Sequence, residues 1–384
     1  MTENTFFTIF EKLEDPRDNR GKRYKLINVI VLALYGTLIG YEDFTSMSYY
    51  LKKKEKEICQ ELRLDGGVPS HDTFSAVFRA IDVQKFMKLF VQWVQNIAEI
   101  KGKHIAIDGK AVRAATKKAE KGNIPYVLNA FMCGAGISIG QKAVGAKTNE
   151  ITEIPKLLDL LDITDCVVTI DAIGTQETIM NKIVSKKGHF CLQLKSNQRL
   201  AFDDVALYFD SLSPKEQDVL NTYTSAYTKN HGRIEQRKYT VLTEESLIAR
   251  ILPDKKWKHV KTIGMAELTR KIKGETTKEK HFHVLDIVVD AKKYGTYARE
   301  HWEIENKLHW VLDIHFNEDR CTANSDNAIS NLALLRKIAF DITKLDPQMS
   351  KKTTKKRMID FMTDLNLFKH FIYDVLPMSD MSEK

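Results

Sequence analysis

The sequence predicts an α/β protein: a mixed sheet flanked by helices, preceded by an all-helical amino-terminal domain and interrupted by a mostly β insertion. Three observations predict it. The first hundred residues carry apolar positions at helical spacing, broken by turn-type segments. From residue 103 short β-branched runs alternate with amphipathic stretches, and between 220 and 290 the chain reads as strands. The expected divisions are 1–100, helical; 101–200, the first part of the core; 201–290, the insertion; and 291–384, completing the core and ending in basic helices.

In the amino-terminal part, FTIFEKLED precedes LINVIVLALYGTLIG (26–40), the most apolar run. It is shorter than the ~20 residues that span a bilayer and lies too far into the chain for a simple signal peptide, so a buried helix is expected. Three further helical segments follow, TSMSYYLKKKEKEICQELRL, SHDTFSAVFRAID and VQKFMKLFVQWVQNIAEI; DPRDNRG (15–21) and LDGGVPS (64–70) are turns. Pro69 and Ser70 mark a helix start, and Asp72 in its first turn suits the helix dipole. That helix fits either the second helix of a helix-turn-helix or an ordinary helical hairpin.

In the core, KHIAIDGKAV (103–112) reads as a buried strand ending or bending near Asp108. IPYVLNAFMCGAGISIGQKAV supplies further strands and EIPKLLDLLDI a helix. CVVTIDAIGTQ (166–176) is another apolar strand ending in an aspartate, Asp171, followed by the helix TQETIMNKIVSKKG and the strand HFCLQLK. GRIEQRKYTVL, WKHVKTIGMAELTRKI and HFHVLDIVV form the insertion.

Composition narrows the functional classes. A formal net charge of +8 favours a polyanionic partner, although surplus lysine also keeps proteins soluble. The five cysteines are far apart and form no CxxC pair, which argues against a disulfide framework or a structural zinc site and fits a reducing cytoplasm. No membrane association is expected.

The segment REHWEIENKLHW (299–310) concentrates imidazole, indole and carboxylate. As a regular helix it places His301, Glu305 and His309 on one face, with Trp302, Trp310, Ile304, Leu308 and Val311 mostly in an adjoining stripe against the core. Glu303 faces elsewhere. The segment lacks the HExxH spacing of zinc enzymes, and an amphipathic helix with a polar edge is the plain alternative.

An aspartate after a buried strand is commonly a turn former or helix cap. Two of them, Asp108 and Asp171, followed by a helix-borne glutamate, point further. Converging carboxylates repel unless cations lie between them, and Mg²⁺ or Mn²⁺ is the natural ion for hard oxygen donors. Two such ions about 4 Å apart activate a water or 3′-hydroxyl and stabilise a leaving oxygen, which is phosphodiester chemistry.

The order IAIDGKAVR, VVTIDAIGTQ, HWEIEN resembles the DDE transposases of bacterial insertion sequences, within them the H-repeat-associated transposase family. LEDPRDNRGKRYKL, VPSHDTFSAVF, TNEITEIPKLLDLLD, CLQLKSNQ, HGRIEQR, IENKLHWVLDIHFNED and NLALLRKIAFD extend the match across nearly the whole chain. The resemblance implies a ribonuclease H-like core with Asp108, Asp171 and Glu305 as catalytic metal ligands for Mg²⁺ or Mn²⁺, two ions being expected. It also implies cleavage and strand transfer at terminal inverted repeats by paired subunits on double-stranded DNA. The chain departs from the wider superfamily's Y-(2)-R-(3)-E-(6)-K pattern, since Ala298, His301 and Leu312 stand at those positions, with Tyr297 and Arg299 close by. Asp313, Glu318 and Asp319 are rival third ligands.

Residues expected to hold DNA are Lys110 and Arg113 after Asp108; Lys195 and Asn197 after the strand that follows Asp171; His231, Arg233 and Arg237 in the insertion; and Arg299, His301 and His309 around Glu305. KKTTKKR (351–357) is a further DNA contact or a solvated loop. The rival functions are a ribonuclease H-like nuclease without strand transfer and a catalytically silent, transposon-derived DNA-binding protein.

Overall fold

A computed structural model describes residues 5–18, 22–64, 66–112, 126–145, 149–230, 232–321, 323, 325–346 and 351–376. Helices α1 (Phe6–Phe10), α2 (Leu26–Leu38), α3 (Phe44–Lys53), α4 (Glu55–Leu62), α5 (His71–Ala80) and α6 (Val83–Ile97) form the amino-terminal part. The apolar run expected to be a buried helix is α2, where every residue but Asn28 is buried. Ser70 caps α5, its hydroxyl accepting from Thr73 N at 3.3 Å. The apolar face of α5, Phe74, Val77 and Phe78, is buried, while His71 and Asp72 at its start are exposed. Asn331 donates to Phe78 O and Ile81 O, closing the other end of α5 against the helix Asp326–Leu345.

Among the described residues ten strands make one mixed sheet. Its first five, β1 (His104–Ala111), β2 (Tyr126–Met132), β3 (Ile137–Val144), β4 (Val167–Ile170) and β5 (His189–Leu194), run in the order β3-β2-β1-β4-β5. The pairs β1–β2 and β2–β3 are antiparallel, β1–β4 and β4–β5 parallel. That is a ribonuclease H-like arrangement. The strands of the insertion continue the same sheet: β10 (Glu275–Leu285) pairs antiparallel with β5, then β9 (Thr262–Ile272), β8 (Arg233–Leu242) and β6 (Asn221–Thr224) follow, with β7 (Thr228–Asn230) also on β8. A tight Lys273-Gly274 turn with both φ positive joins β9 to β10.

Alternation along β1 fixes what each face carries. Ile105 and Ile107 enter the main core with Val168 and Ile170 of β4; His104, Ala106, Asp108 and Lys110 point to the opposite face. Helix Ala291–Glu300 and the segment that follows it come back over that second face.

Candidate functional site

Parallel pairing sets Ile107 against Ile170, so the next residues, Asp108 inside β1 and Asp171 just past the end of β4, follow on adjacent strands, which in a sheet run about 4.8 Å apart. On the other flank of β1, Asn129 of β2 is the partner of Asp108. Burial raises the Asp108 carboxyl to about 6, opposed by His309 and the Gly109 N–H and reinforced by the negative charges of Asp171 and Glu305. Gly109 is needed there, because a Cβ would stand 2.2 Å from the Tyr126 ring. The Asp171 carboxylate accepts from Ile173 N at 3.1 Å and caps a short 3₁₀ turn.

The third carboxylate arrives on a π-helical stretch, Ile304–His309, rather than the regular helix expected from the sequence. Such widened turns recur at functional sites. Glu305 Oε2 lies 2.9 Å from His309 Nδ1, and the same nitrogen is 3.6 Å from Asp108 Oδ2. Asp108, Glu305 and His309 each bring a donor atom within 4.8 Å of the other two. Two carboxylates and an imidazole suit a divalent cation. Asp171 stands outside that trio but acts electrostatically on Asp108.

Several expectations are corrected by placement. Trp302 and Trp310 are 50% and 53% exposed and do not pack the helix to the core. Ile304, Leu308, Val311 and Leu312 occupy the buried stripe, and the indoles project outward one residue beyond His301 and His309. Lys110 is buried, its ammonium bonded to Asp313 and to Glu318 Oε2 at 2.7 Å, with Asp319 at 3.7 Å, so it is enclosed by carboxylates rather than held out at the surface. The same contacts assign Asp313, Glu318 and Asp319, the rival third ligands, to a lysine cluster. Glu303 is bonded to Lys307 and to Gly134 N.

His301 and His309 both stand in hydrogen-bond networks with neighbouring side chains. His301 Nδ1 meets Thr169 Oγ1 at 3.1 Å, which also meets His104 Nε2 at 2.9 Å, and His104 Nδ1 is bonded to Glu300 at 3.0 Å. Burial, then the neighbouring His104 and Lys195, lowers His301 to about 4, leaving it neutral near pH 7. His309 is 2% exposed. Asn197 donates to Ala172 O at 2.7 Å and thereby holds the Asp171 turn; Lys195, at the end of β5, is exposed. Arg113 and His231 lie outside the described residues.

Arg233, Arg237, Arg299 and His301 line one cavity of about 770 Å³ between the insertion strands and the 291–307 segment. Glu235 at its floor accepts from Arg237 at 2.8 Å and Arg270 at 3.0 Å, with Arg233 at 3.4 Å. Although burial pushes its carboxyl up, Arg270 and Arg237 hold it below the usual range. Of KKTTKKR, Arg357 is buried on Thr343 O at 2.7 Å, while Lys355 and Lys356 are exposed. The sequence reading missed Asn129, His104, Thr169, Glu235 and Arg270. Asn129 alone left a signal, a single amide inside the apolar strand YVLNAFM.

The strand order and the aligned carboxylates together define a ribonuclease H-like core with an acidic site on one sheet face. Comparison with known proteins gives the family. Residues 99–342 match the Transposase DDE domain and residues 7–94 its associated domain, DDE_Tnp_1-associated; the chain belongs to this DDE transposase family. It is 30% identical over 343 residues to "Putative transposase YncI" of Escherichia coli O157:H7, covering 86% of this chain and 85% of that protein. It is also 30% identical over 368 residues to "H repeat-associated putative transposase YhhI" of Escherichia coli strain K12, covering 92% and 94%. A piggyBac transposase synaptic complex with hairpin DNA overlays with a TM-score of 0.46 at 13% identity, covering 98% of this chain and 82% of that one. Among the described residues no helix is long and apolar enough to cross a membrane.

Proposed function

We propose that the protein is an insertion-sequence transposase that cuts DNA at its element's terminal inverted repeats and joins the freed 3′-hydroxyl to target DNA. The observation that carries this reading is the delivery of Asp108, Asp171 and Glu305, from two strands and a distant helical segment, to one end of one sheet face. Asp108, Asp171 and Glu305 are the residues that would hold Mg²⁺ or Mn²⁺. Bound there, divalent ions supply charge neutralisation for the attacking and leaving oxygens of an in-line displacement at phosphorus.

The chain's own residues do the rest. Asn197 fixes the Asp171 turn, and the Glu300–His104–Thr169–His301 chain fixes the start of the Glu305 segment on β1 and β4. Arg233, Arg237 and Arg299 place DNA phosphates in the cavity beside it, with Lys195 at the rim and the protein acting as paired subunits on two ends.

The test is cleavage and joining of labelled duplexes bearing the element's ends, with Mg²⁺, Mn²⁺ or EDTA. Metal-dependent joining that disappears in Asp108→Asn, Asp171→Asn and Glu305→Gln, while DNA binding survives, supports the reading. Cutting without joining makes the protein a nuclease. Binding of the ends without any cutting makes it an occupancy regulator.

A further inference from the structure

His309 stands at the junction of two candidate ligand carboxylates, with Nδ1 2.9 Å from Glu305 Oε2 and 3.6 Å from Asp108 Oδ2. Neighbouring donors each about 2.1 Å from a shared octahedral ion lie about 3 Å apart. The Nδ1–Oε2 spacing therefore fits two donors on one ion as well as it fits a hydrogen bond.

An independent observation lies on the ring's other side. Nε2 of His309 is 3.0 Å from Nδ2 of Asn129, a side chain only 1% exposed, which also donates to Val127 O at 3.2 Å. The Oδ1 of Asn129 is buried with no hydrogen-bond partner among the described residues. A buried acceptor left so is costly, and a second state that uses it recovers that cost in exchange for the bonds that Nδ2 makes. With Asn129 Nδ2 facing Nε2, the ring accepts there and donates from Nδ1 to Glu305. Turning the Asn129 amide over gives up the bond to Val127 and offers Oδ1 to Nε2. The ring then carries its proton on Nε2, Nδ1 having lost one and Nε2 gained one, and the Nδ1 lone pair points between Glu305 and Asp108. Ligating histidines are held in this way, by a partner that accepts from the far ring nitrogen.

We propose that His309 is an inner-sphere nitrogen ligand of the divalent cation held by Asp108 and Glu305, with the Asn129 amide as the acceptor that sets its tautomer. The proposal rests on the metal-dependent reading above. Because imidazole suits transition ions and an all-oxygen shell suits Mg²⁺, the site prefers Mn²⁺.

The experiment is pulsed EPR on the full chain loaded with Mn²⁺, read for nitrogen hyperfine coupling and paired with calorimetric affinities for Mn²⁺ and Mg²⁺. Wild type is expected to show nitrogen coupling. His309→Gln is expected to lose it and to bind Mn²⁺ at least about tenfold more weakly, with a smaller change for Mg²⁺. Asn129→Asp, a stronger acceptor, is expected to keep the coupling and tighten Mn²⁺ binding, a direction that structural damage does not give. Bound Mn²⁺ without nitrogen coupling, or coupling that persists in His309→Gln, overturns the proposal and leaves the carboxylate site standing. Wild type that binds Mn²⁺ no better than Asp108→Asn overturns the metal site itself and the proposal with it.

Discussion

Two acidic clusters lie two residues apart on the same strand, and they are built in opposite ways. Around Lys110, the carboxylates of Asp313, Glu318 and Asp319 meet an ammonium that is itself buried, with Lys337 3.7 Å from Glu318 on the far side. Against full burial, Lys337 and then Lys110 and Arg336 hold the Glu318 carboxyl down to about 2. Around Asp108 burial wins, the strongest opposing group is an imidazole, and the carboxyl rises to about 6. One cluster is charge-matched by its own lysines and braces the fold; the other is poised to gain from an added cation. A carboxylate's role here is set by its counter-charge, not by its proximity to the sheet end.

The comparison breaks if the two clusters fail in the same manner. Glu305→Gln is expected to reduce cleavage and joining on the order of a thousandfold or more, since a lost metal ligand removes several kcal/mol of charge stabilisation. Its thermal unfolding should stay near that of wild type, because Glu305 is exposed. Glu318→Gln should instead destabilise the chain by about 3–5 kcal/mol in urea unfolding, because it leaves buried Lys337 without its carboxylate and Lys110 with Asp313 and Asp319 alone. A Glu318→Gln protein as stable as wild type would end the distinction.

The two clusters also differ in how much of each the sequence carries. The strands that carry Asp108 and precede Asp171, the buried helix at 26–38 and the segment carrying Glu305 were legible because apolar periodicity and residue order carry that information locally, although β1 runs on to Ala111 rather than ending near Asp108. Which carboxylates face a lysine was not legible. Lys110 and Glu318 are far apart in the chain, and only the return of the 310–320 segment over β1 joins them. The outward indoles escaped for a related reason. Trp302 and Trp310 each sit one residue past an inward histidine, and the π-helical turn between them shifts the stripe that a regular helix predicts. The continuation of β5 into β10 was equally hidden, since strand pairing across the insertion leaves no pattern within either strand.

Acid sharpens the same comparison. Glu318 has a folded value of about 2 against an ordinary value of 4.5, so the unfolded chain binds the extra proton between those limits. Its stabilisation is complete above about pH 4.5 and is lost as pH falls toward 2. The stability gap between wild type and Glu318→Gln should therefore narrow by about 2 kcal/mol between pH 6 and pH 3, measured by urea unfolding at each pH. Buried Asp341, raised well above its ordinary value by burial, shifts in the opposite direction but is present in both proteins and cancels in the difference. A gap that stays constant would mean that Glu318 is not held ionised by its lysines.

The smallest effect separates a surface cation from a buried one. Arg299 is exposed on the wall of the arginine-lined cavity, whereas Lys110 is enclosed by its carboxylates. A cation that meets a DNA phosphate releases a counterion, so removing it lowers the slope of log affinity against log salt by about 1. Arg299→Gln is expected to do that in filter binding across a salt series, with unfolding free energy changed by less than about 0.5 kcal/mol. Lys110→Met should show the reverse: an unchanged salt slope and a destabilised fold, since Asp313, Glu318 and Asp319 lose their shared ammonium. If Lys110→Met lowers the slope as Arg299→Gln does, the ammonium leaves its cluster for DNA, and the boundary between the bracing cluster and the binding surface has to be redrawn through β1.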